Sequence, residues 1–187
     1  MNRRAINQWA ASASSHLSNS SERSFSRLWI VVLLGIIITA LLGSCSSGLQ
    51  KASVEMMDKA EARWQQQPAL DYEIMVEVNR PGDRRRSTVI VQRGQIVRGD
   101  VSYWNAKTNR WDEPSALNQE QSFPFTVPGL FDMVRGELEN SGRADIRVKQ
   151  EGEPPFPRRI VLGPVMLDGQ AMSGTEAVVT VERYGPR

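Results

Sequence analysis

Residues 71–92 read DYEIMVEVNRPGDRRRSTVIVQ, and the period of this stretch decides the fold. Successive side chains of an extended chain point to opposite faces, so Tyr72, Ile74, Val76 and Val78 share one face. Asp71, Glu73, Glu77 and Asn79 share the other, with Met75 among them. An apolar face backed by a polar one marks a half-buried strand of an antiparallel sheet. Pro81-Gly82 is a turn dipeptide, and residues 86–92 form a second strand. A two-residue loop there sets Tyr72 against Val91, Ile74 against Val89 and Glu77 against Arg86. Apolar then meets apolar and acid meets base, so this register is the expected one. Arg93-Gly94 turns the chain again, into a third strand over residues 95–103.

Upstream of the hairpin, residues 49–67 predict an amphipathic helix. Leu49, Ala52, Met56, Ala60 and Trp64 recur at three- and four-residue spacing, Met57 lies beside them, and Pro68 supplies the stop. A Met and Trp stripe at that spacing reads as core packing. Downstream, residues 104–126 are irregular and hold Trp104, Trp111, Phe123 and Phe125 among polar residues and prolines. A second helix is expected over residues 130–139, with Leu130, Phe131, Val134 and Leu138 on one face and Asn140-Ser141-Gly142 at its end. Strands follow at 144–150, 158–162 and 176–184. The order is helix, three strands, helix, three strands. That predicts an α+β domain at 49–187: a single antiparallel sheet of about five to six strands with two helices packed on one face.

Residues 28–42, LWIVVLLGIIITALL, carry no charge and would span roughly 22 Å as a helix, short of the ~30 Å hydrocarbon core. A basic flank before them and small residues after them describe a secretory signal over residues 1–44. The junction Leu42-Gly43-Ser44-Cys45 resembles the lipobox of bacterial lipoproteins. That likeness implies cleavage before Cys45 and attachment of diacylglyceryl and palmitate-type acyl chains to it, with residues 45–48 as a short lipidated tether. The flank ahead of the apolar run is long and contains Glu22, so an uncut single-pass anchor stays open beside the lipoprotein reading. Both place the domain outside the cytoplasm and on a membrane. For a lipoprotein this is the outer face of the cytoplasmic membrane or the periplasmic face of the outer membrane.

Of 23 basic and 21 acidic residues, four basic and one acidic lie before Cys45. The remaining 19 and 20 leave a nearly neutral domain, which gives no case for nucleic-acid binding. The only cysteine is Cys45 and the only histidine is His16, in the leader. Histidine-dependent triads, histidine zinc sites and intrachain disulfides are therefore not expected, nor is a metal or cofactor. The carboxylate pairs Asp112-Glu113, Glu137/Glu139 and Glu151/Glu153 are close in sequence, which does not place them across a cleft.

The domain also resembles a family of secreted bacterial proteins catalogued as domain of unknown function 6174. The likeness covers about residues 57–184. It rests on Ala62-Arg63-Trp64 followed by Asp71-Tyr72, on Thr126-Val127-Pro128-Gly129-Leu130-Phe131-Asp132, on Phe156-Pro157-Arg158-Arg159-Ile160, and on a last strand from near Glu176. It implies a secreted or lipoprotein context and no activity. Many members carry a Cys-x-Cys after the first strand that this chain lacks, so any redox or metal role does not carry over.

Two groups are candidate sites. Tyr103, Trp104, Trp111, Phe123 and Phe125 form a candidate contact surface; alternatively the two Trp pair across a hairpin and the two Phe cap the core. Arg84, Arg85 and Arg86 are candidate contacts for anionic headgroups; alternatively they and Arg80, with Arg93 and Arg98 nearby, are the arginines of a solvated turn paired with Glu73, Glu77 and Asp83. The expected function is a non-catalytic envelope lipoprotein that contacts another envelope protein as well as the bilayer. The alternative is a carrier of a small apolar or lipid ligand, in a cavity lined by Met56, Met57, Met75 and Trp64.

Overall fold

The computed structural model describes residues 48–186. Cys45, the leader at 1–44 and most of the tether lie outside the described residues. The domain opens with a two-residue strand β1 (Gln50–Lys51) and helix α1 (Val54–Gln66). The meander β2 (Tyr72–Arg80), β3 (Asp83–Gln92) and β4 (Gln95–Asn105) follows. Two short strands come next, β5 (Arg110–Trp111) and β6 (Ser115–Ala116), then a short helix α2 (Gln119–Ser122) and a 3-10 turn at Phe123–Phe125. After α3 (Val127–Asn140) come β7 (Ile146–Glu151), β8 (Phe156–Leu162), the small hairpin β9 (Val165–Leu167) and β10 (Gln170–Met172), and finally β11 (Ala177–Pro186).

The expected sheet of five to six strands with two helices is wrong. The main sheet has nine antiparallel strands in the order β1-β7-β8-β11-β2-β3-β4-β5, with β6 also on β4, and β9–β10 forms a separate pair. Strands take 47% of the described residues against 24% for helix, so the domain is mostly β with three helices. The missed strands β1, β5 and β6 have two residues each, too few to show any period.

The β2–β3 hairpin has the expected register, with Tyr72 opposite Val91, Ile74 opposite Val89 and Glu77 opposite Arg86. Gly82 takes φ 78 after Pro81, the backbone a type II turn requires. Helix α1 starts five residues later than its apolar spacing suggests. Ser53 caps it, its Oγ accepting the Met56 N–H at 3.2 Å, and this frees Gln50 and Lys51 to pair with β7. Helix α3 starts three residues earlier than expected. Thr126 Oγ1 accepts the Gly129 N–H, and Pro128 fits the first turn, where a missing N–H costs nothing.

The core lies between one sheet face and the helices. Ile74, Val76, Val89, Val148 and Ile160 point into it from the strands; Met57 and Trp64 from α1 and Leu130, Phe131 and Val134 from α3 cover them. The Trp64 ring meets Tyr72, Phe156 and Tyr184 edge-on, with centroids 6.3, 5.8 and 6.3 Å away. Arg135 of α3 ties the two long helices together through Asp58 and Glu61 of α1.

Burial pushes the Tyr72 hydroxyl up to about 12, and burial also raises Tyr184. A folded-state value above the unfolded value of about 10 means the neutral phenol is the stabilised form. Stability from Tyr72 is therefore intact below pH ~10 and is lost as pH rises toward ~12. Denaturant midpoints followed against pH should fall across that window, and Tyr72→Phe should flatten most of the fall. An equal slope in the variant would assign the loss to other groups.

Candidate functional site

The face of the sheet away from the helices is where the sequence-predicted residues meet. Alternation along β3 sends Arg84 and Arg86 to this face and Arg85 to the helix side, where its guanidinium lies 5.7 Å from the Phe125 ring. Glu77 of β2 stands directly opposite Arg86. It accepts from Arg84 Nε at 2.8 Å and from an Arg86 terminal nitrogen at 3.3 Å. The Glu77 side chain is 11% exposed, against 39% and 31% for the two arginines, so the carboxylate is held under them. The Glu77 hydrogen bond also raises the Arg84 guanidinium above its ordinary value.

On the neighbouring strands Trp104 and Trp111 are direct partners, with ring centroids 5.4 Å apart and planes at 70°. The Arg84 guanidinium carbon is 5.0 Å from the Trp104 ring and 5.2 Å from Trp111; that of Arg86 is 4.3 Å from Trp111. A guanidinium is planar and weakly hydrated and is drawn to the negative face of an indole. One carboxylate thus holds two cations against two indoles. The connecting loop is tied down by Asn105, whose Oδ1 accepts the N–H groups of Lys107 and Thr108, and this fixes where Trp111 returns to the sheet.

The five aromatics proposed as one contact surface are divided. Trp104 and Trp111 pair across the strands; Tyr103, one residue before Trp104, points to the opposite side and is 46% exposed. Phe125 is buried in the core, whereas Phe123, two residues earlier, is exposed. Asp83 pairs within the turn with Arg80, as the solvated-turn alternative has it, whereas Glu73 accepts from Arg183 of β11. The expected carrier lining does not converge either. Met57 and Trp64 are packed in the core, while Met75 points to the other face of the sheet. The cleft at the start of β7 has a volume of about 200 Å³ and a mixed lining that includes the charged residues Lys51, Glu137, Arg143 and Asp145. Arg143 is fully engaged there, with Glu137 at 2.6 Å and the Gly163 and Thr175 carbonyls at 2.7 and 2.5 Å.

Among the described residues no three His, Cys, Asp or Glu side chains gather to hold a metal ion, and no helix is long and apolar enough to cross a membrane. One exposed apolar feature was missed in the sequence. The β9–β10 hairpin shows Met166, Leu167 and Met172 to solvent, with Leu167 60% exposed. Its signal was Asp168-Gly169, both residues at positive φ, as the favoured two-residue hairpin turn requires. No known protein-family description matches the chain, and no curated protein matches it.

Proposed function

We propose that the chain is a membrane-tethered envelope domain that binds another envelope protein through the helix-free sheet face at the Trp104–Trp111 pair. The observation that carries this reading is the stack itself: two indoles and two guanidiniums, preordered by Glu77. Trp and Arg are the residue types that dominate binding energy at protein interfaces, and side chains already held in place lose less entropy on docking. The sheet order sets the strands of this stack, β3 to β5, five to seven strand spacings from β1, where the described residues begin, a lateral distance of about 24–34 Å. The far edge is therefore well separated from β1 and free to meet a partner. Attachment itself rests on the apolar run at 28–42 and on Cys45.

In-cell crosslinking followed by purification of the chain tests the reading. Trp104→Ala/Trp111→Ala is expected to remove a reproducible crosslinked species while the folded domain persists by circular dichroism. An unchanged crosslinking pattern in that variant would overturn the assignment of the partner to this face.

A further inference from the structure

The opposite edge of the same face carries a charge arrangement that the fold itself does not favour. Lys51 of β1 stands directly opposite Arg147 of β7, and Lys149 of β7 directly opposite Arg159 of β8. Arg147 and Lys149 are two residues apart on one strand and alternate with core residues Ile146 and Val148, so both like-charge pairs lie on the helix-free face. Like charges placed opposite each other on neighbouring strands destabilise a sheet. Compensation is partial. Arg147 reaches Asp145 at 2.6 Å and Lys149 reaches Glu151 at 2.5 Å, a hydrogen bond that holds the Glu151 carboxyl below its usual range. Lys51 and Arg159 make no ion pair among the described residues.

We propose that this β1–β7–β8 edge docks on the anionic phospholipid headgroups of the membrane to which the chain is tethered. The proposal rests on the membrane-tether reading and adds the surface that faces the lipid. Two observations select this occupant. The first is charge: four cations on one face meet a layer of phosphates, where each juxtamembrane Lys or Arg is attracted. The second is reach. Only two residues, Ser46 and Ser47, separate Cys45 from Gly48, a span of at most about 10 Å over three Cα steps, and β1 begins two residues after Gly48. An edge joined to the bilayer so closely cannot stand clear of the headgroups. Arg84 and Arg86, by contrast, lie five strand spacings from β1, about 24 Å away, and share Glu77 as a common partner.

The chain has four lysines, Lys51 and Lys149 at this edge and Lys59 and Lys107 elsewhere, so a water-soluble amine reagent read by mass spectrometry reports the docking directly. The full chain is reconstituted in vesicles of phosphatidylcholine alone or mixed equally with phosphatidylglycerol. Labelling of Lys51 and Lys149 is expected to fall about fivefold in the anionic vesicles, with Lys59 and Lys107 unchanged, and to recover in high salt. Arg147→Gln/Arg159→Gln should abolish the difference. Equal labelling in both compositions overturns the proposal; if that variant then self-associates, the cations serve to block edge-to-edge pairing instead. Flotation separates failure of the tether from failure of the edge. A chain that does not float with neutral vesicles has no tether. In that case salt-sensitive flotation with anionic vesicles, lost in Arg147→Gln/Arg159→Gln, upholds the docking edge, and its absence overturns it.

Discussion

Gly129→Ala is expected to lower stability by about 3–5 kcal/mol, a fall in Tm of roughly 10–20 °C for a domain of this size. A Cβ on Gly129 would lie 2.0 Å from the Phe123 carbonyl oxygen and 2.8 Å from both the Phe123 carbonyl carbon and the Pro124 Cα. Every one of these atoms is backbone, so no rotamer change relieves the overlap. The backbone there is also pinned. The Thr126 N–H and its hydroxyl both donate to the Phe123 oxygen, at 2.9 and 2.7 Å, and the Val127 N–H donates to the Tyr72 hydroxyl at 3.3 Å. Moving the turn to accommodate a methyl would break bonds that seat α3 on the sheet. Gly136, in the same helix, is the control. Nothing lies within 4 Å of its would-be Cβ, so Gly136→Ala should stabilise by about 1 kcal/mol through helix propensity alone. Thermal unfolding of the two variants checks both signs. A shift of Gly129→Ala no larger than that of a solvent-exposed substitution would remove close approach as the reason for this glycine.

The Gly129 contact was not legible in the sequence, because it depends on the 3-10 turn folding back ahead of α3, which no periodicity encodes. The β2–β3 hairpin was legible because three constraints agreed: the apolar alternation, a two-residue turn, and the match of Glu77 to Arg86. The start of α1 was misread because Leu49 and Ala52 continue the helical spacing by coincidence; Ser53 marks the true start, and edge pairing with β7 claims the residues before it. Long-range pairing hides more. Lys51 and Arg147 are 96 positions apart, so their opposition follows from topology alone. The aromatic stretch was half legible. Trp104 and Trp111 pair across the strands, as one of its two readings held, but which of Phe123 and Phe125 enters the core is set by the turn that carries them. For Asp168-Gly169 the turn signal was present, but the flanks Val-Met-Leu and Gln-Ala-Met lack the alternation that would have made it a hairpin prediction.

Glu77→Gln should cost about 3 kcal/mol, although Glu77 touches neither Trp ring, and it should weaken partner binding as well. The carboxylate is the only negative charge within 4 Å of Arg84 and Arg86 among the described residues, and it is the most buried member of the three. Glutamine keeps the shape and one acceptor but leaves two neighbouring guanidiniums to repel each other with no described counter-charge within 4 Å. Removing one arginine is a smaller change, because Glu77 keeps the other: Arg84→Gln should cost about 1 kcal/mol, since that side chain is more than a third exposed and solvent screens it. The double variant Glu77→Gln/Arg84→Gln should recover part of the loss, as the remaining Arg86 then has no like-charged neighbour. Denaturant unfolding of the three proteins gives the coupling energy; additive costs would mean that the three charges do not act as a unit. The same cycle links stability to recognition. If Glu77 orders the cations over Trp104 and Trp111, Glu77→Gln reduces crosslinking to the partner under conditions where the domain is still fully folded. A variant that is destabilised yet crosslinks as well as the parent would confine Glu77 to the fold and leave the indoles to bind alone.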